Sequence, residues 1–439
     1  MASFTRVGVA QLARVSFNRP MACVQALGFG MLTARPDGLV DLGRIALNTR
    51  RHIGSSRGMA VSGNLHRCLH STGRAPVEGP SPASPRRLGA DVEERPFRTE
   101  VPQPDRLVVI GDVHGDIDAF RSCLRMANLV DLDDRWSGGE AVLVQLGDIF
   151  DRGDDDLVIE EWVHLLAGEA ERAGGGLYSI LGNHEARRQV LNAAGDHSMA
   201  TRESFDPFAK LTLPKSGAEQ MERLKQVPEW AHHRILAMMP GSPVAKLMAS
   251  HAVCMKVGDS LFVHGGLLPV HLTGAGAMGG SGSKEDNEGG GAGGGSGAVR
   301  AMERLNSAAS KWLAGEGPAL RLLFEQESPI WTRAYSSPDS REVGVQAWVQ
   351  LREARKDIVL RLTGTKRMFV GHTPQEMGIN SAAGGQVWRV DTAMSQKMGG
   401  RPEVLEMVGG EITILTEYKP IPASKRVCRP APKHPVPEE

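Results

Sequence analysis

The chain has 439 residues, with 51 Lys+Arg against 51 Asp+Glu and a formal net charge of zero. That balance speaks against a nucleic-acid or polybasic membrane-surface partner. No stretch approaches the run of about 18 apolar residues that a membrane helix needs, and the five cysteines show no CxxC spacing, which leaves out a disulfide framework or a thiolate zinc site.

The zero is a sum over unlike parts. Residues 1–90 contain 12 Arg, no Lys and only Asp37, Asp41 and Glu78, a net +9, and the remaining 39 bases and 48 acids give −9. An Arg- and Ser-rich, acid-poor leader has the composition of a transit peptide. Residues 91–104 read as a linker, within a Pro-rich stretch that turns acidic at Glu93 and Glu94, and folding is expected from Asp105.

From there, apolar runs alternate with helical patterns. Leu107–Ile110 precedes a helix through Phe120 and Leu124; Val142–Leu146 precedes one from Leu157 to Ala173; a third run spans Leu177–Leu181. Nearly continuous apolar strands separated by helices predict an α/β layered fold with helices on both faces of a sheet. Residues 205–255 read as largely helical. Residues 274–297, with Gly at 12 of 24 positions, read as a flexible insertion. Helical patterns follow at Val299–Leu313 and Val345–Arg361, then strand-like runs at 368–370, 387–390, 404–408 and 412–415, and an irregular tail from Lys419.

Five times an apolar run ends and polar, potentially metal-binding residues follow at once. The turns are GDVHGD at 111–116, GDIFDRGD at 147–154, GNHE at 182–185, HGG at 264–266 and GHT at 371–373. At the carboxyl ends of neighbouring strands such turns converge on one crevice. Their Asp, His and Asn side chains suit divalent transition ions, and two such ions about 3.5–4 Å apart can clamp a phosphate and generate hydroxide for in-line attack. The candidate ligands are Asp112, His114, Asp148, Asn183, His264 and His372.

These motifs resemble the metallophosphoesterase signature of the phosphoprotein phosphatases, with GDxHG, GDxxDRG and GNHE. Asp154 after the DRG, Trp331-Thr332-Arg333, GHTPQ at 371–375 and Asp391-Thr392-Ala393-Met394-Ser395 make the chain similar to the Shewanella-like branch over about residues 105–418. The resemblance implies a mixed β-sandwich flanked by helices and a phosphomonoester hydrolase with two divalent ions, Mn, Fe or Zn. Asp112, His114 and Asp148 would hold one ion, and Asp148 would bridge to the second, completed by Asn183, His264 and His372. His184 would be the general acid, Asp151 its orienting partner, and Arg152 and Arg333 the phosphate clamps. His251 matches no motif and is read as structural; Asp116 and Glu185 are expected to cap a helix or support neighbouring ligands.

The implied partner is a phosphoprotein carrying phosphoserine/threonine or phosphotyrosine, with a nucleotide or dinucleoside-polyphosphate substrate as the alternative; no membrane insertion is expected and no regulatory subunit is readable. The SAPNYC-type segment of the common eukaryotic enzymes is absent, and with three tyrosines in the chain an active-site phenol of that type is not expected. Among the Shewanella-like phosphatases a long basic extension resembles that of the chloroplast members, with the mitochondrion as the alternative destination.

Overall fold

The structure is a computed structural model, and it describes residues 95–188, 224–225, 229–273, 294–337 and 345–426. The leader 1–90, most of the Gly-rich insertion and the tail beyond 426 lie outside the described residues. Twelve strands form two six-stranded mixed sheets. One sheet has the order β12-β11-β10-β2-β3-β4, in which β2 (Arg106–Ile110), β3 (Val142–Gln145) and β4 (Gly176–Ser179) are parallel and β10 (Glu403–Val408), β11 (Glu411–Thr416) and β12 (Ile421–Pro422) run antiparallel. The other has the order β1-β5-β6-β7-β9-β8. There β6 (Ser260–Val263), β7 (Arg367–Val370) and β9 (Val387–Arg389) are parallel neighbours, and β1 (Glu100–Val101), β5 (Cys254–Val257) and β8 (Asn380–Ala382) complete it.

The two sheets pack face to face, the mixed β-sandwich flanked by helices that the family resemblance implies, where the alternation of runs alone suggests one sheet. Side chains alternate across a strand, so Leu107 and Val109 of β2 enter the core between the sheets with Phe262, Phe369, Trp388 and Leu405. Val108 and Ile110 face the other way, under α1 (Ile117–Met126) and α2 (Asp156–Arg172). In the second sheet Leu261, Val263, Met368 and Val370 face a separate helix-covered core. A strand buried on both faces reads as a continuous apolar run whether its second face meets a helix or another sheet. Phe262 and Phe369, paired in register, stack with ring centroids 4.8 Å apart at the middle of the sandwich.

The ordered chain also reaches further than expected. Ahead of Asp105, β1 pairs with β5, and Arg95 bonds Glu171 at 2.9 Å. Cys254 and Met255, read as helical, lie in β5. Gly294–Gly297, read as part of the flexible insertion, open the helix Gly294–Leu313. Beyond Lys419, β12 joins β11, and Arg426 pairs with Glu403 at 2.8 Å. β1 and Arg95 are recruited by partners distant in sequence, so local composition carried no sign of them.

Candidate metal centre

The parallel strands β2, β3 and β4 present their carboxyl ends along one edge, and β6, β7 and β9 do the same in the facing sheet. The first set delivers Asp112, His114, Asp148 and Asn183; the second delivers His264, His372 and Asp391. All seven are buried. Backbone and side chain stitch the halves together: the His372 N–H donates to Asp112 Oδ1 at 3.1 Å, and His264 Nδ1–H donates to the Leu146 carbonyl at 2.7 Å.

The turns are tight. Of the nine non-glycine residues with positive φ among the described residues, five are candidate site residues: His114, Asp148, Asp151, Arg152 and His372. Backbone in this sparsely populated region is held only where the surroundings dictate it, and it gathers at functional sites. Two motif glycines are required for space: a Cβ at Gly182 would overlap Asp148 Oδ1, and one at Gly371 would overlap Asp112 Oδ1.

A carbonyl only accepts hydrogen bonds, so the carbonyl partners fix the imidazole tautomers. His114 Nδ1–H donates to Phe150 at 3.0 Å, which turns its Nε2 lone pair inward. His372 Nε2–H donates to Trp331 at 3.1 Å and leaves Nδ1 as the ligating atom. His264, anchored through Nδ1, presents Nε2 at 3.0 Å from Asn183 Oδ1 and 3.3 Å from Asp148 Oδ2. Asp148 Oδ2 also lies 3.8 Å from His114 Nε2. Asp148 is therefore the shared corner of two triads, one with His114 and His184 and one with His264 and His372, whose ligand atoms lie within 4.8 Å of one another.

The buried ionisable groups of the crevice shift one another strongly. Burial, reinforced by Asp391 and Asp148, pushes the Asp112 carboxyl well above the usual carboxylate range, and Asp391 is raised by burial to about 6. Burial would lower His264, yet the carboxylates of Asp148 and Asp112 outweigh it and hold the imidazole at about 10. Burial drives His114 down to about 4 and His372 to about 3, so both are neutral bases. Neutral imidazoles with inward lone pairs, crowded carboxylates and an amide oxygen are a donor set suited to divalent transition ions.

His184 stands apart in role. Its Nδ1–H donates to Asp151 Oδ2 at 2.7 Å, while its Nε2 lies 3.9 Å from Asp148 Oδ2. Burial alone would lower its pKa, but Asp148 and the bonded Asp151 overcome this and keep it above the ordinary value. Arg234, buried and unsuspected from the sequence, donates to Asp151 Oδ1 at 3.1 Å and pairs with Asp156 at 2.5 Å. Arg152 lies partly buried beside this group, and its Nε has no hydrogen-bond partner within the described chain. Arg333 sits exposed at the rim, its Nη1 donating to the His372 carbonyl at 3.0 Å and to Thr373 Oγ1 at 2.7 Å.

Support comes from residues behind the ligands. Glu185 accepts the backbone N–H groups of Gly182, Asp148, Ile149 and Phe150 at 2.7–3.2 Å and so holds the Asp148 turn. Asp116 caps α1 through the Ala119 N–H at 2.9 Å and also accepts from Gln396 at 2.7 Å. Asp391, the first residue of the Asp391-Thr392-Ala393-Met394-Ser395 segment, lies close enough to Asp112 to raise its carboxyl pKa. Tyr335 is buried and turned to the Leu267 carbonyl at 3.0 Å, away from the ligand set. His251 takes no part in the triads around Asp148; it faces Glu160.

Comparisons with known proteins agree with this geometry. Residues 105–389 match the calcineurin-like phosphoesterase family. Shewanella-like protein phosphatase 2 of Arabidopsis thaliana is 32% identical over 338 residues, 71% of this chain and 77% of that protein. Shewanella-like protein phosphatase 1 of Plasmodium berghei (strain Anka) is 30% identical over 162 residues, 37% of this chain and 39% of that protein. Among solved structures, a cold-active protein-tyrosine phosphatase of a psychrophile Shewanella sp. superposes with a TM-score of 0.52 at 22% identity. It covers 76% of this chain and 85% of that one, a likeness of fold.

Proposed function

Because this chain belongs to the Shewanella-like protein phosphatases of the calcineurin-like phosphoesterases and is a metal-dependent hydrolase, we propose that its crevice holds two divalent ions and removes phosphomonoesters from protein side chains. The observation that carries the two-ion reading is the position of Asp148 as the common corner of two ligand triads. Asp112, His114 and Asp148 would hold one ion; Asp148, Asn183, His264 and His372 would hold the other. Bound there, Mn, Fe or Zn ions would supply positive charge to the phosphate oxygens and acidify a water.

The chain's own residues do the rest. His184, kept protonated by Asp151 and Asp148, donates its Nε2 proton to the departing side-chain oxygen. Arg234 ties Asp151 to Asp156, so the carboxylate that orients His184 is held from two sides. Arg152 and Arg333 flank the opening and suit the phosphate oxygens through charge-assisted hydrogen bonds. A phosphopeptide panel carrying phosphoserine, phosphothreonine or phosphotyrosine, assayed with Mn, Fe and Zn beside dinucleoside polyphosphates, tests the substrate class. Phosphopeptide turnover is expected; turnover confined to the nucleotides would overturn the substrate while leaving the metal centre in place.

The leader enters the same proposal. Its +9 charge and lack of lysine support residues 1–90 as an organellar address, to the chloroplast or alternatively the mitochondrion. Imaging a fluorescent fusion of residues 1–90 checks it: uniform cytosolic signal would count against the address.

A further inference from the structure

Behind the Asp148 turn lies a second cluster that the proposed reaction does not use. Glu160 and His164 are four residues apart on α2, and helical periodicity puts such a pair on one face. His251 comes from the link ahead of β5, whose next residue, Ala252, bridges to Ile180 at the end of β4. All three side chains are buried, with Glu160 at 0% and His251 at 1% exposure.

The cluster is held by contacts that a proton serves poorly. Both imidazoles approach the same atom: Glu160 Oε1 is 3.3 Å from His164 Nε2 and 3.1 Å from His251 Nε2. The His251 contact is close, yet its Nε2 has no hydrogen-bond partner of good geometry within the described chain. Glu160 Oε2, His164 Nδ1 and His251 Nδ1 also have no hydrogen-bond partner within the described chain. Leaving buried polar atoms unsatisfied is destabilising, and this cluster gathers several.

Two nitrogens and one carboxylate oxygen are the donors of a three-residue zinc-type site. A tetrahedron with bonds of about 2.0–2.1 Å has edges of about 3.3 Å, close to the 3.1 and 3.3 Å separations seen, and all three ligand atoms lie within 4.8 Å of one another. His164 and His251 also line a cleft walled by Arg95, Arg98, Tyr178 and Ser179, which offers an ion a route in. The Arg95 charge is taken up by Glu171 at 2.9 Å.

We propose that Glu160, His164 and His251 form a third metal site, separate from the phosphatase crevice, that takes one zinc-class divalent ion and pins α2 to the chain entering β5. The ion would stand in place of the proton that His251, raised by Glu160 against the lowering effect of burial, otherwise keeps. Binding there should therefore release protons and weaken as pH falls.

Metal analysis of the full chain after zinc loading and desalting tests this directly. Glu160→Gln and His251→Ala are each expected to lower the bound zinc by one equivalent relative to the unaltered chain; an unchanged count in folded protein overturns the site. Asp148→Asn serves as the reference for the crevice, because it should remove ions there and leave this one. Should either variant fail to fold, anomalous diffraction at the zinc edge from crystals of the unaltered chain decides the matter. A peak between the three residues supports the site, and a map without one overturns it.

Discussion

The Asp148 crevice and the Glu160 cluster are built from the same side chains, imidazole and carboxylate, buried to the same degree within one fold. Their scaffolds differ. The crevice draws ligands from turns after five strands, with five of its residues at positive φ and glycines packed against the carboxylates. The Glu160 cluster takes two residues from a regular helix and one from a strand approach, and none of its three residues has positive φ. The crevice, proposed to bring two ions, a water and a phosphate together, needs ligands converging from many directions, which sharp turns provide. A site that only holds an ion can borrow the periodicity of a helix. The lesson is that a shared ligand chemistry does not imply a shared task; the backbone underneath separates them.

Three substitutions probe that contrast. The largest effect is expected from Asp148→Asn, because the shared corner serves both proposed ions: turnover should fall by on the order of 10⁴-fold, since each ion supplies several kcal/mol to the transition state. Metal analysis should show ions lost from the crevice and the Glu160 ion retained. Loss of all bound metal together would mean that the two clusters are one unit.

Next comes His184→Asn. A general acid contributes about 10²–10⁴-fold, so turnover should fall by roughly that factor with the metal count unchanged in both clusters. A fall in metal content would make His184 a ligand and undo the division of labour in the crevice.

The smallest effect is a shift in pH dependence. His184 must be protonated to act as an acid, and its pKa stands above the ordinary value because Asp148 and Asp151 oppose the lowering effect of burial. Activity is therefore present below that raised pKa and lost as pH rises through it. Removing the bonded carboxylate in Asp151→Asn should lower the pKa and move the basic limb of the kcat profile toward acid. An unmoved limb would assign it to another group and detach Asp151 from the chemistry.

Much of the crevice was legible because its candidate ligands follow apolar runs closely, in short turns that each pair a glycine with an Asp, Asn or His. That pattern is local, and the packing that completes it is not. Arg234 reaches Asp151 across 83 residues, and nothing in its helical surroundings marks it as more than an exposed basic residue. Asp391 becomes electrostatically important only because β9 runs parallel to β7 and brings it beside Asp112. His251 illustrates the same limit from the other side: without a motif it reads as structural, and only burial opposite Glu160 and His164 gives it donors to share.

By itself, the sequence determined the order along the chain of the runs that end in the crevice, the candidate ligands gathered there and the +9 and −9 division between residues 1–90 and the rest. These follow from residue type and spacing along the chain, which local sterics translate into turns. The tertiary structure decided which strands of the two sheets lie side by side at the site, that residues ahead of Asp105 and beyond Lys419 belong to the fold, and that a second set of imidazoles meets a buried carboxylate. Each depends on which apolar faces pack together, and burial energy is non-directional, proportional to the apolar area removed from water and blind to distance along the chain.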